Sequence, residues 1–244
     1  MKRLPLFILS VFLPIVLSGC FEIKEKLKIT KSGSGNYQLL MDFSQSKKIF
    51  QVMMEMASKG DGAIGGVVMD DPLGGLDSAF IELGKELSNI KGISQVEGIK
   101  DENNYVFGIK LNYENVEALN RALSKMDSGN DIGYFQSFYS FSKGKLDKSN
   151  SFNLSNLIEE IYPDEEENEN EEMNQELINM FEEVKYSLEI STDGKIRRFS
   201  NDDAVLSDDK KFLVYSKSLK ELKEGIGNNS VNKDFSLSNS IKFK

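Results

Sequence analysis

The sequence has no histidine, no tryptophan and a single cysteine, Cys20. Without histidine there is no Ser-His-Asp or Cys-His nucleophile, no imidazole general base and no His-ligated zinc. With one cysteine there is no internal disulfide and no thiolate metal centre. The chemistry left open runs through carboxylates, Ser-Lys pairs or oxygen-ligated Ca²⁺ or Mg²⁺. Basic residues are also in deficit, with 30 Lys and Arg against 39 Asp and Glu and a formal net charge of -9. That balance argues against nucleic acid as a partner and against charge-driven binding to bare anionic lipid.

A long uninterrupted apolar run is missing too. Lys2 and Arg3 precede an apolar stretch from Leu4 to Leu17, which is the layout of a secretory signal. A spanning helix needs roughly 20 apolar residues, and this shorter stretch carries Pro5 and Pro14. It ends in Leu17-Ser18-Gly19-Cys20, which resembles the lipobox of bacterial lipoproteins. The resemblance implies cleavage between Gly19 and Cys20 and attachment of lipid to Cys20. An ordinary signal peptide followed by an incidental cysteine is the competing reading. A lone free thiol suits an oxidising envelope poorly, whereas lipidation consumes it. Several acyl chains, palmitate among them, each contribute about 0.8 kcal/mol per buried methylene, so the expected anchor is stable. Loss of Lys2 and Arg3 takes the formal charge from -9 to -11.

Residues 20–244 are expected to form a single α+β domain. Phe21, Ile23, Leu27 and Ile29 alternate with Glu22, Lys24, Lys26 and Lys28, the period of a half-buried strand, and Glu25 alone breaks the pattern. Ser32-Gly33-Ser34-Gly35 reads as a turn into a second strand through Tyr37, Leu39, Met41 and Phe43. Ser44 caps a predicted helix bearing Ile49, Phe50, Val52, Met53 and Met56, and a second helix runs through Leu76, Phe80, Leu83, Leu87 and Ile90. Between them residues 59–75, with six glycines, read as a loop. Strands over Ile93–Lys100 and Tyr105–Tyr113 flank a turn at Asp101–Asn104, and Val116, Leu119, Leu123 and Met126 mark a third helix. This order predicts antiparallel sheet with helices packed on one face.

The C-terminal half reads as strand-rich. Tyr134–Ser142 turns at Lys143-Gly144 into Lys145–Asn153, and a short helix is expected over Leu154–Ile161. Val184, Tyr186, Leu188 and Ile190 alternate in a strand, Asp193-Gly194 signals a turn, and Ile196–Phe199 is expected to return. Phe212–Tyr215 and a last stretch through Phe235, Leu237, Ile241 and Phe243 complete the strands.

Four features are candidate sites. Gly60-Asp61-Gly62-Ala63-Ile64-Gly65 spells the dinucleotide fingerprint, but a helix precedes it where a strand is required, so a surface loop with an apolar Val67-Val68-Met69 tip is preferred. Residues 163–173 include seven carboxylates between Asp164 and Glu172; they read as a solvated, disordered loop, without the spacing of a specific Ca²⁺ loop. Arg197-Arg198 suits an oxyanion, yet neighbours on a strand face opposite sides, so two separate surface charges are preferred. Asn201-Asp202-Asp203 and Asp208-Asp209 read as turn residues around Ala204-Val205-Leu206. No residue is assigned to catalysis, to a cofactor or to a metal.

The stretch from Tyr186 through Asp193-Gly194-Lys195-Ile196 and Asn201 to Phe212-Leu213-Val214-Tyr215 resembles the end of the LppM-like domain of bacterial envelope lipoproteins. That pattern has proline where this chain has Asp193 and tryptophan where it has Tyr215. The resemblance implies a membrane-tethered α+β domain without an established enzymatic activity, with a lipid or glycolipid as a candidate ligand, and it carries over no functional residue. The expected function is therefore a non-catalytic envelope lipoprotein that binds a ligand or a protein partner near the membrane. The alternative is a carboxylate-based hydrolase of envelope or extracellular glycans, which needs two acids about 5 to 10 Å apart in a cleft. A structural spacer is the third reading. Phe21 after the lipid-bearing cysteine, in place of aspartate, favours the outer membrane by resemblance to the enteric sorting rule, with the periplasmic or surface face left open.

Overall fold

The fold is taken from a computed structural model, which describes residues 21–47, 50, 72–128, 138–148, 184–218, 220–221 and 239–243. The calls on Gly19, Cys20, the Gly60–Gly65 motif, the Val67–Met69 tip, the Leu154–Ile161 helix and the acidic run lie outside these residues, as does most of the helix predicted after Ser44.

The described residues form two helices and eleven strands. β1 (Glu22–Ile29) and β2 (Gly35–Asp42) are the expected hairpin, paired from Glu22 with Asp42 to Ile29 with Gly35. Helix α1 (Pro72–Ser88) leads to β3 (Ile93–Asp101) and β4 (Val106–Tyr113), then to α2 (Val116–Ser128). β5 (Tyr139–Ser142), β6 (Lys145–Lys148), β7 (Lys185–Thr192), β8 (Ile196–Phe199), β9 (Val205–Leu206), β10 (Phe212–Ser218) and β11 (Asn239–Phe243) follow. Seven strands form one sheet in the order β3-β4-β2-β1-β7-β10-β9, and four form a second in the order β5-β6-β11-β8.

Local chemistry accounts for several boundaries. Asn115 Oδ1 accepts the Ala118 N–H at 2.9 Å, a side-chain cap on the first turn of α2. Lys143 and Gly144 both have positive φ, 51° and 72°, the two-residue turn that suits a right-twisted hairpin between β5 and β6. Asp101 Oδ1 accepts from the Asn104 backbone N–H at 3.1 Å and closes the β3–β4 turn.

Three expectations are corrected. The larger sheet is mixed, because β1 pairs in parallel with β7, Glu22 beside Lys185 and Ile29 beside Thr192. β2 occupies one edge of β1, and the other is taken by a strand entering at the same end. Second, Ile196–Phe199 does not return along β7. The free edge of β7 is held by β10, Leu213 opposite Ile190, and β8 instead pairs with β11 in the second sheet. Third, α1 begins at Pro72 and takes in Gly74 and Gly75, which the sequence pattern places in the glycine-rich loop. Proline is pre-organised for a first turn, where backbone N–H groups lack helical partners in any case.

In the larger sheet, residues directly opposite share a face. One face carries Leu27, Ile29, Tyr37, Ile109, Leu111, Tyr113, Leu188, Ile190 and Leu213, all buried, and belongs to one continuous core with Leu119 and Leu123 of α2 and Leu146 of β6. The other face is polar: Lys24 pairs with Asp42 at 2.6 Å, Lys26 with Glu189 at 3.2 Å and Lys110 with Glu97 at 2.9 Å. Both helices contact β3 and β4. Asn120 of α2 ties to the second sheet, donating to the Tyr139 carbonyl at 2.7 Å and accepting from the Tyr139 N–H at 2.9 Å.

Candidate functional site

Glu25 stands on the core-facing side of β1, where the alternation calls for an apolar residue, and is fully buried. Its neighbours explain how a carboxylate survives there. On the flanking strands, Tyr37 of β2 and Tyr186 of β7 lie diagonally across from it, because Glu25 itself pairs with Leu39 and with Leu188. The second sheet supplies the rest. Tyr139 OH donates to Glu25 Oε1 at 2.6 Å, and Lys148 Nζ donates to Glu25 Oε2 at 2.9 Å. Tyr186 OH also donates to Oε2. Lys148 Nζ further donates to Tyr139 OH at 3.2 Å, and its side chain is 1% exposed against 0% for Glu25.

A buried ion pair recovers its desolvation cost only when the remaining lone pairs and protons are satisfied, and three donors on one carboxylate meet that condition. Burial first, and the Glu25 charge second, push the Tyr139 and Tyr186 hydroxyls well above the ordinary tyrosine range. Tyr37 shifts the same way, by burial first and the Glu25 charge next, and although its hydroxyl lies near the Glu25 carboxylate it makes no hydrogen bond of good geometry. The ensemble joins the two sheets at their centre and fixes their relative position. Its carboxylate is engaged on both oxygens, which is the arrangement of a structural tie rather than of a proton donor awaiting substrate.

A second locus lies where the chain leaves β7. Lys195, Ile196 and Arg197, with Leu206 and Lys210, line a shallow groove of about 410 Å³ with no carboxylate among its described lining residues. Ile196 N donates to the Lys210 carbonyl at 2.6 Å, which draws the start of β8 against the β9–β10 turn. In that turn Lys210 takes a left-handed backbone, φ 59°. Asp209 Oδ1 accepts from Ser207 Oγ at 2.6 Å and from the Lys211 N–H at 3.0 Å, contacts that hold its carboxyl below the usual aspartate range. Lys195, Arg197 and Lys210 are exposed.

Both arginines singled out in the sequence are exposed, and only Arg197 reaches the groove. The acids around β9 serve as turn residues, Asn201 Oδ1 accepting the Asp203 N–H at 3.0 Å and Asp209 acting as above. Residue Phe21, next to Cys20, is 6% exposed and stacks on Phe43 at 4.7 Å, and its carbonyl accepts the Lys185 N–H at 3.1 Å. Among the described residues no three Asp, Glu, His or Cys side chains are placed to hold a metal ion. No described helix is long and apolar enough to cross a membrane.

The buried ensemble was missed from sequence, though its signal was present: Glu25 breaks an otherwise apolar row, and Lys148 follows Leu146 at the same two-residue spacing. The groove was missed because two of its three cations, Lys195 and Lys210, are fifteen residues apart and meet only through the β7–β10 pairing.

No family model matches the chain, and no curated protein matches it. The NMR structure of the folded domain of LppM from Mycobacterium tuberculosis is similar to it over 91% of this chain and 89% of that one, at 7% identity and a TM-score of 0.35.

Proposed function

We propose that the chain is a bacterial envelope lipoprotein, lipidated on Cys20, whose strand-rich domain is a non-catalytic binding module held directly at the membrane surface. One observation carries the reading. Phe21 is already core, stacked on Phe43, so the residue after the lipid-bearing cysteine belongs to the folded domain and leaves no linker between lipid and sheet. A lipid at that position would set the Glu22 end of β1 against the bilayer.

The absence of histidine, the engagement of Glu25 by Lys148 and tyrosines, and a groove lined by cations support binding over catalysis. A glycan hydrolase would need a paired acid in a cleft, and the described groove offers none. Placement in the outer membrane, in preference to another envelope membrane, follows from Phe21 in the position after the cysteine. Native mass spectrometry of the full chain, purified in neutral detergent from its own host, tests the binding reading. A co-purifying lipid or glycan mass is expected, and a clean apo mass would argue for a spacer.

A further inference from the structure

Some described cations are ion-paired and others are not, Lys28, Lys31, Lys143, Lys185 and Arg198 among the latter; what sets Lys195, Arg197 and Lys210 apart is that they line one groove. Lys24, Lys26, Lys100, Lys110, Lys125, Lys145, Lys148 and Lys217 all lie within 3.3 Å of a carboxylate oxygen. Lys195, Arg197 and Lys210 are not ion-paired to any described residue, although the chain carries a net charge of -9 and acids lie beside them in sequence. Those acids are turned to other tasks. Asp193 accepts the Lys31 N–H at 3.2 Å, and Asp209 is bound within its own turn. Three cations therefore converge unpaired on one groove in an acidic protein.

Their placement comes from the fold. Lys195 immediately precedes β8 and Arg197 is its second residue, a two-residue spacing that favours one side of extended backbone. Lys210 is brought opposite by the Ile196–Lys210 backbone bond, and its left-handed backbone at the tip of the β9–β10 turn fixes where its side chain emerges. Leu206 and Ile196 give the groove an apolar floor. The guanidinium fork of Arg197 suits two oxygens of one phosphate or carboxylate, with the lysines as point charges.

We propose that this groove binds an oxyanion, phosphate or carboxylate, borne on an anionic polymer of the envelope. A shallow trough accommodates a segment of a chain that continues beyond it. Position excludes the headgroups of the anchoring leaflet. β1 and β7 run parallel, so Thr192 lies at the end of the sheet opposite Phe21, about 23 Å away for an eight-residue strand. The groove begins three residues beyond Thr192. The choice of polymer over headgroup rests on the tethered reading proposed above, whereas the oxyanion chemistry does not.

The test uses the full chain in neutral detergent, with sodium polyphosphate and polygalacturonate as probes, and phosphatidylglycerol vesicles as the headgroup probe. Saturable binding is expected to at least one polymer, and which one binds identifies the oxyanion. Arg197→Gln and Lys210→Gln should each weaken it roughly tenfold, Arg197→Lys less, the scale of one charge-assisted hydrogen bond. Arg198→Gln removes the same charge outside the groove and should change affinity less than about twofold by comparison. Thermal unfolding of each variant reports folding separately. Three results would overturn the proposal: no saturable binding to either polymer, equal losses in Arg197→Gln and Arg198→Gln, or binding to phosphatidylglycerol vesicles alone. Failure of lipidation at Cys20 would leave polymer binding measurable and would remove only the argument from position.

Discussion

Lys148 of the smaller sheet donates to Glu25 of the larger one at 2.9 Å, with both side chains almost wholly excluded from solvent. The pair is the polar centre of an otherwise apolar interface, and it makes the relation between the two sheets specific. Lys148→Met leaves an unpaired carboxylate in the core and should cost about 3–5 kcal/mol of unfolding free energy. Glu25→Leu combined with Lys148→Met should recover most of that loss, since no charge is then stranded. Chemical denaturation of the two variants beside the parent checks both directions; equal destabilisation of the single and double variants would remove the ion pair from the account.

The tyrosines around Glu25 separate by their hydrogen bonds. Tyr139→Phe deletes a donor to the carboxylate and should destabilise by about 1–3 kcal/mol. Tyr37→Phe removes a buried hydroxyl that makes no hydrogen bond of good geometry, so stability should hold or rise slightly. The contrast in unfolding midpoints is the readout.

Alkaline pH acts on the same residues. Tyr37, Tyr139 and Tyr186 have folded-state pKa values above the unfolded value near 10, raised by burial first and by the Glu25 charge next. Below that pH both states keep their protons and stability is fully present. As pH rises past it, the unfolded chain releases protons that the folded chain retains, so stability falls. Near-ultraviolet titration should show these three ionising only as circular dichroism reports unfolding. Ionisation of these three while the fold is intact would contradict their burial.

Much of this fold was legible because side-chain period is a direct consequence of strand geometry. The β1–β2 and β3–β4 hairpins, α2 and the β5–β6 turn all follow from alternation, caps and turn residues within a few positions of one another. The β1–β7 parallel pairing was not legible, since it joins Glu22 to Lys185 across a sequence distance that local patterns do not register. The same non-locality hid the candidate sites. Glu25 was visible as an exception, but its meaning depended on Tyr139, Lys148 and Tyr186, which reach it only through the packing of two sheets. Arg197 was visible beside Arg198, but its groove partner Lys210 depended on β10 taking the edge of β7 that a simple hairpin would have given to β8.

Close backbone approach constrains Gly35, at the start of β2. A Cβ there would collide with the Lys28 carbonyl oxygen and lie 2.6 Å from the Tyr113 hydroxyl, which itself donates to Lys28 O at 2.9 Å. Gly35→Ala should therefore cost about 3 kcal/mol by forcing the β1–β2 ladder apart. An unchanged thermal midpoint would show that the hairpin end yields freely.

The tether is tested most directly by intact mass spectrometry of the protein extracted from bacterial membranes. A mature chain beginning at Cys20 and carrying the mass of a diacylglyceryl group with or without a further acyl chain is expected, together with loss of membrane association in Cys20→Ser. A chain with an unmodified Cys20, or one that begins elsewhere while remaining membrane-bound, would contradict the account.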